Sequence, residues 1–288
     1  MLERFQKDGY AVIPAFKLPS EIARLRARAE AIVEAFDSSE GGAVFSTHDQ
    51  AKRSNAYFLE SAASVRCFFE EEAFDENGSL RVPKAQAINK IGHAMHDLDA
   101  VFDEFSHGAA LAQVALAAGL QSPLLYQSMY IFKQPRIGGE VKWHQDASFF
   151  VTDPPSVTAF WFALEDANRD NGCLWIDRGG HRGPLRERFS VRDQETVMER
   201  LDPTPWPSLD RAVPLEVAAG TLVVFSGMLA HYSAPNRSSR SRHAYTLHAV
   251  DARARYAPEN WLQRDPASLR GFDGADAPFR RAQKVTGK

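Results

Sequence analysis

A histidine and an aspartate separated by one residue, His144-Gln145-Asp146, stand out as groups able to do chemistry. In an extended segment side chains alternate across the sheet, so His144 and Asp146 share a face while Gln145 points away. One imidazole nitrogen and one carboxylate oxygen are then presented side by side. A second histidine from a distant strand would complete a facial set of three, and two histidines plus a carboxylate with open positions suit non-haem iron(II). His231 is the candidate: it ends the apolar run TLVVFSGMLAH, and Ser233 shares its face two residues on. Arg242 follows His231 by eleven positions and starts the next expected strand, so a hairpin can return it beside the metal. Its planar, permanently charged fork suits the distal carboxylate of a co-substrate, to which Ser233 could donate a further hydrogen bond. An H-x-D triplet alone arises often by chance, and an isolated Arg242 would read as a solvated turn residue. The combination is what points to a metal site.

The elements that must position these residues change in texture along the chain. Residues 1–120 read as mainly helical: Ile22, Leu25, Ala29, Ile32 and Val33 recur at helical spacing after Pro19-Ser20, and a further helical pair is expected over 97–106 and 109–120. Residues 10–13 form a short strand-like run, and 37–42 a turn-rich break. From about residue 121 to 252, short β-branched and aromatic runs alternate with Gly, Pro, Asn and Asp. Strands are expected over 124–133, 141–146, 157–164, 173–176, 212–217, 221–225, 230–232 and 243–250. This pattern predicts a mainly β protein with helical additions, a double-stranded β-helix (jelly roll, cupin-like) core flanked by amino-terminal helices. The chain is expected to be one domain of 1–288. Residues 182–211, charged and punctuated by Pro203, Pro205 and Pro207, interrupt the strands and read either as a lid or as a helix-bearing surface excursion. Residues 266–288 read as a tail, its last fifteen or so poorly ordered.

Composition narrows the class of partner. Of 288 residues, 44% are hydrophobic and 25% charged, which excludes a disordered chain, and the net charge of −3 with no long basic block disfavours nucleic acid. A small-molecule partner is expected, and nothing demands an oligomer. Cys67 and Cys173 do not make a disulfide framework and read as reduced, partly buried thiols. No apolar run reaches the roughly 18 residues that span a bilayer, and the first residues lack a signal peptide's apolar stretch, so a cytoplasmic protein with no membrane partner is expected.

The segments WHQDASFF, ALEDANRDNGCLW and GMLAHYSAPNRSSRSRHAYTLH resemble the phytanoyl-CoA dioxygenase family. INKIGHAMH, QSMYIFKQP, GGEVKWHQDASF and APENWLQ are similar most of all to its phytanoyl-CoA dioxygenase domain-containing protein 1 group, over about residues 5–265. The resemblance implies an iron(II)- and 2-oxoglutarate-dependent dioxygenase with His144, Asp146 and His231 as iron ligands. It implies Arg242 and Ser233 as binders of the 2-oxoglutarate carboxylate, with Lys90, Met129 and Trp161 as further co-substrate contacts. Met129 shares a strand face with Gln127 and Ile131, and Trp161 is flanked by Ala159 and Ala163, which leaves room for a ligand; Lys90, between Ile88 and Ile91, can equally be a solvated surface lysine. The sequence departs from the family at Arg178-Gly179-Gly180-His181, where Pro-Gly-Ser-His is frequent; the turn glycine and histidine remain. His48, His107 and His243 read as surface residues or as supports behind the site. His93 and His96 fall nearer the pocket, and His96 could touch substrate. Cys173 reads as packing.

On this resemblance the co-substrates are 2-oxoglutarate and O2, converted to succinate and CO2 as a small molecule is hydroxylated. The carboxylate at Asp146 favours hydroxylation over halogenation, because related halogenases leave that position open for chloride. Two other readings stand beside the oxygenase: a non-catalytic metal- and 2-oxoglutarate-binding or sensing protein, and a cupin-type metal isomerase or hydrolase. Arg242 and Ser233 count against the latter, which needs no carboxylate clamp. Turnover of 2-oxoglutarate separates the first two. The sequence names no substrate, and no basic patch for the phosphates of an acyl-CoA is evident.

Overall fold

The computed structural model describes residues 2–37, 43–45, 56–193 and 195–273. In chain order the strands are β1 Tyr10–Ile13, β2 Ala43–Phe45, β3 Val65–Glu70, β4 Ile88–His93, β5 Pro123–Ile131, β6 Val141–His144, β7 Thr152–Asp153 and β8 Thr158–Ala163. They continue as β9 Leu174–Ile176, β10 Glu187–Arg192, β11 Glu195–Arg200, β12 Val213–Leu215, β13 Leu222–Ser226, β14 His231–Ser233, β15 Ala244–Asp251 and β16 Arg255–Tyr256. One sheet has the order β1-β13-β8-β15-β5-β4-β3-β2, a second β12-β9-β14-β6. Residues of both line a common cavity, so the sheets face each other across it in the expected jelly-roll arrangement.

Alternation on the central strands separates a packing face from a site face. Phe160 and Phe162 of β8 and Tyr245 and Leu247 of β15 join a core with Leu25, Val33, Phe102 and Phe105 from the helices. Ala159, Trp161, Ala163 and Ala244 turn the other way, towards Leu174 and Ile176 of β9. A fully buried Leu or Phe stabilises by about 1.5–3 kcal/mol, so this helix-covered face holds the sheet rigid beneath the cavity. The helix Pro19–Ala35 forms where its spacing predicts and buries Ile22, Leu25, Ala29 and Val33. Pro19 occupies its first turn, and the Glu21 carboxylate accepts the Leu18 backbone N–H at 2.8 Å.

The amino-terminal part is less helical than its sequence suggests. β3 and β4 extend the large sheet from within it, and β4 is buried at every position. A strand covered on both faces shows no alternation, which is why this one is hard to read. The helix expected over 97–106 is broken at Asp99, whose side chain accepts the N–H groups of Val101 and Phe102 at 3.0 and 3.3 Å and caps a new helix, Ala100–Ser106. The helix of 109–120 is Ala109–Ala117, ahead of Gly119 at φ +102°.

Among its described residues the insertion of 182–211 contains no helix beyond a single turn at its start; β10 and β11 pair as a hairpin, and the chain then runs without regular structure past Trp206. Phe189 of the hairpin is buried, with ring centroids 5.6 Å from Phe149 and 6.5 Å from Phe58. Beyond residue 252, Trp261, Leu262, Leu269 and Phe272 are buried, so the beginning of the expected tail packs onto the body. His48, residues 38–42 of the expected break and residues 274–288 of the tail lie outside the described residues. No helix among the described residues is long and apolar enough to cross a membrane.

Candidate metal centre and its cavity

His144 ends β6, and Asp146 lies just beyond it, opening the 3-10 turn Asp146–Ser148 rather than continuing the strand. Gln145 keeps extended dihedrals, φ −116° and ψ 131°, so alternation persists for one more residue and returns Asp146 to the face of His144. Gln145 points away and is fixed: its amide donates to Pro184 O at 3.0 Å and Met228 O at 2.9 Å, and its oxygen accepts the Arg186 N–H at 2.9 Å. His231 starts β14, directly opposite His144 in the β14–β6 pairing. The sheet register therefore joins two histidines far apart in sequence, with ring centroids 4.1 Å apart. Among the described residues, His144, Asp146 and His231 form a group whose ligand atoms all lie within 4.8 Å.

The protonation pattern suits a cation. His144 Nδ1 lies 2.8 Å from Lys142 O and His231 Nδ1 lies 3.1 Å from Leu229 O. A carbonyl only accepts, so each Nδ1 carries the hydrogen and each Nε2 is a bare donor atom. These Nε2 atoms lie 3.6 and 3.7 Å from Asp146 Oδ1. Burial first, then the neighbouring His144, lowers the His231 pKa to about 4, so this imidazole is neutral at pH 7. Burial opposes the charge of Asp146, but the surrounding imidazoles of His231, His248 and His144 hold its carboxyl well below the usual carboxylate range. Two imidazoles and one carboxylate, with ligand atoms gathered on one side, fit iron(II).

The other end of the cavity holds Arg242, fully buried just ahead of β15. Its Nε donates to Gly172 O at 3.1 Å and its Nη2 to Ser233 Oγ at 3.4 Å, while Nη1 has no hydrogen-bond partner among the described residues. Burial lowers its pKa to about 10, which still leaves it charged at neutral pH. Ser233 lines the same cavity; its hydroxyl donates to Gly172 O at 2.9 Å and braces the arginine. Gly172 sits at φ +83°, and a Cβ there would lie 2.7 Å from Ala234 O, so only glycine lets its carbonyl reach both side chains.

Met129 and Trp161 flank Thr246 in one row across β5, β15 and β8, and all three line the cavity. Lys90 lines it too and is buried, not a surface lysine: its Nζ lies 3.9 Å from Met129 Sδ and 5.3 Å from the Phe68 ring centre, and burial lowers its pKa to about 7. The cavity, about 660 Å³, therefore unites every residue singled out from the sequence for the metal and co-substrate.

Several lining residues escape a sequence reading. Thr246 Oγ1 and His248 Nδ1 are buried without hydrogen-bond partners among the described residues, and His248 Nε2 lies 3.2 Å from Asp146 Oδ2. Strand alternation from Arg242 through Ala244 would have found both. Lys133, beyond β5, is buried with its Nζ donating to Gly139 O at 2.5 Å; its isolation in sequence gives no signal. His96, the histidine thought able to touch substrate, is turned away: its Nδ1 is 2.9 Å from Ser128 Oγ and its Nε2 3.0 Å from Arg264 Nη1. His93 lines the cavity instead. His243 is buried against the Tyr130 hydroxyl at 2.8 Å, outside the cavity lining. His181 follows Gly179, φ +80°, in the short turn Gly180–Arg182, so the loop survives its departure from the family pattern. Cys67 and Cys173 are both free and buried.

The family model for phytanoyl-CoA dioxygenase (PhyH) matches residues 5–244. A relative from Oryza sativa subsp. japonica, phytanoyl-CoA dioxygenase 1, is 45% identical over 265 residues, spanning 91% of this chain and 92% of its own. Phytanoyl-CoA dioxygenase domain-containing protein 1 of Bos taurus is 41% identical over 274 residues, spanning 92% and 94%. Among solved structures, the epimerase SnoN in complex with Fe3+, alpha-ketoglutarate and nogalamycin RO superimposes with a TM-score of 0.63 over 96% of this chain and 92% of its own, at 15% identity. That likeness establishes a shared fold.

Proposed function

The chain belongs to the phytanoyl-CoA dioxygenase family, and on that premise we propose that it is an iron(II)- and 2-oxoglutarate-dependent oxygenase that hydroxylates a small molecule. The observation that carries this reading is the pairing of a metal-ligand set and a buried guanidinium in one cavity. At one end the bare Nε2 atoms of His144 and His231 meet the Asp146 carboxylate; at the other the buried Arg242 has a free Nη1. A metal ion suits the first, and a carboxylate suits the second. A short dicarboxylate suits both together.

When bound at the triad, iron(II) supplies the activation of O2, with 2-oxoglutarate leaving as succinate and CO2 and one oxygen atom passing to the substrate. The chain's own residues bind, orient and shield. Arg242, braced by Gly172 and Ser233, offers a charge-assisted hydrogen bond to the distal carboxylate in a dry setting, where such bonds are strong. Lys90 and the row Met129–Thr246–Trp161 line the same cavity and would contact the co-substrate there. His248 steadies Asp146 from behind, stacked on Phe150 with ring centroids 5.2 Å apart. Phe149, Trp206 and Met198 add apolar lining to the same cavity. A carboxylate at Asp146 occupies the position that halogenation would need open, which supports hydroxylation.

The test is uncoupled turnover. Protein loaded with iron(II) and 2-oxoglutarate under anaerobic conditions should form succinate once air is admitted, and His144→Ala should abolish it. A wild-type protein that binds both ligands and forms no succinate with any substrate would be a sensor and not an oxygenase.

A further inference from the structure

Of the buried polar atoms without a hydrogen-bond partner among the described residues, His93 Nε2 is set apart from both the triad and the carboxylate clamp. Its ring is fully buried among aromatic side chains, with centroids 5.1 Å from Trp261, 5.4 Å from Phe68 and 5.7 Å from Phe58. Its other nitrogen is tied to Ser61, with Nδ1 2.7 Å from Ser61 Oγ. Ser61 is itself buried and donates to the carbonyl of Phe58. A hydroxyl has one hydrogen, and here the carbonyl takes it. The contact with His93 must then run the other way, with Nδ1–H donating to Ser61 Oγ. A neutral imidazole carries one hydrogen, so Nε2 is a bare lone pair on the side of the ring away from Ser61. Burial, with Lys90 nearby, holds the His93 pKa well below that of a free histidine, so the ring is neutral at pH 7.

A buried acceptor left unpaired is costly, and a fold that keeps one in a cavity wall does so where something else supplies the donor. We propose that His93 Nε2 recognises the substrate, accepting a hydrogen bond from a hydroxyl or N–H group carried on an apolar, aromatic-sized body. This rests on the reading above, in which the space beside the triad receives the substrate. The surrounding walls define the rest of the molecule: Phe58 and Trp261 stack on each other at 4.3 Å and 24°, and with Phe149 they line the same cavity. Such walls favour flat or greasy groups, and the single acceptor sets their orientation. Discrimination follows from the same physics, because an analogue lacking the donor leaves Nε2 unpaired a second time.

The experiment has two readouts. In the full chain loaded with diamagnetic zinc and 2-oxoglutarate, long-range proton–nitrogen correlation of 15N-histidine at pH 7.5, with His93 assigned by its loss in His93→Phe, should show Nδ1 protonated and Nε2 bare. Matched probes then test the site itself. 2-Naphthol should bind at least about tenfold more tightly than 2-methoxynaphthalene, as followed by saturation-transfer spectra and tryptophan fluorescence. His93→Phe keeps the aromatic packing and should bring that ratio to about one. Ser61→Ala, which frees Nδ1, should mix the two tautomers and lower the preference. An Nε2-protonated or doubly protonated ring in the wild type overturns the proposal, as does an equal ratio in wild type and His93→Phe or failure of both probes to bind. Titration of 2-oxoglutarate into manganese-loaded wild type is the separate check on the oxygenase reading. Its failure would sink that reading while the tautomer and probe results still decide His93.

Discussion

His93 and His96 are three residues apart and equally buried, yet they belong to regions built on opposite rules. His96 closes a polar knot behind the cavity: both its nitrogens are engaged, Arg264 and Arg270 converge on Asp97, and Arg270 reaches Asp103 as well. The cavity leaves His93 Nε2, Arg242 Nη1, Thr246 Oγ1 and His248 Nδ1 without partners among the described residues. Burial and residue type do not separate the two histidines; their engagement does, since His96 has both nitrogens in contacts and His93 only one, although Arg264 Nε in the knot also lacks a partner among the described residues. Charges in the knot meet each other and fasten the segment around Trp261 and Arg264 to the helix Met95–Leu98. Polar atoms of the cavity lining keep hydrogen-bonding capacity that no other described residue uses. The knot is therefore expected to govern stability, and the cavity to govern binding.

The largest effect that would sharpen this division is at the metal. His144→Ala should weaken binding of manganese or iron(II) by about a thousandfold or more, since a three-residue ligand set loses a third of its donors, and calorimetry should register it with little change in unfolding. Next in size is Asp97→Asn, which strands two arginines and should cost about 3 kcal/mol in denaturant unfolding while 2-oxoglutarate affinity stays within twofold. Burial opposes the Asp97 charge, but His96 and the two arginines hold its pKa well below that of a free carboxyl. A depressed carboxyl stabilises above its unfolded value and loses that stabilisation only as pH falls through its folded value. The deficit of Asp97→Asn should thus be constant at neutral pH and vanish only in strong acid. A large drop in 2-oxoglutarate affinity would break the division of roles.

Arg242→Ala should raise the 2-oxoglutarate dissociation constant roughly a hundredfold with metal binding intact; equal affinity would sink the clamp. The smallest effect is at Lys90. Its pKa of about 7 lies far below the 10.5 of a free lysine, so between those values the unfolded chain holds more protons and stability rises with pH. Lys90→Met in protein free of metal and co-substrate should remove that slope and stabilise by about 1–2 kcal/mol at pH 7. Destabilisation instead would mean that Lys90 belongs with the knot.

Much of this was open to a reader of the sequence because it is local. The i, i+2 rule puts His144 and Asp146 on one face whether or not the strand formally ends between them, and the even positions of 242–248 share a face for the same reason. Alternation on β8 and β15 likewise announces a two-faced sheet. Other features depend on what arrives from elsewhere. β4 is invisible as a strand because helices and cavity cover both its faces, and Lys90 is charged by sequence but buried by that covering. The facing of His144 by His231 is a matter of register between β6 and β14. Whether His93 or His96 meets the cavity turns on Ser61, Ser128 and Arg264, residues up to 168 positions away from their histidine. The sequence by itself determined which atoms could bind a metal or a carboxylate, since that is side-chain chemistry and strand period. Only the tertiary structure decided which of them find partners within the chain and which stay bare, because hydrogen-bond satisfaction is set by neighbours in space.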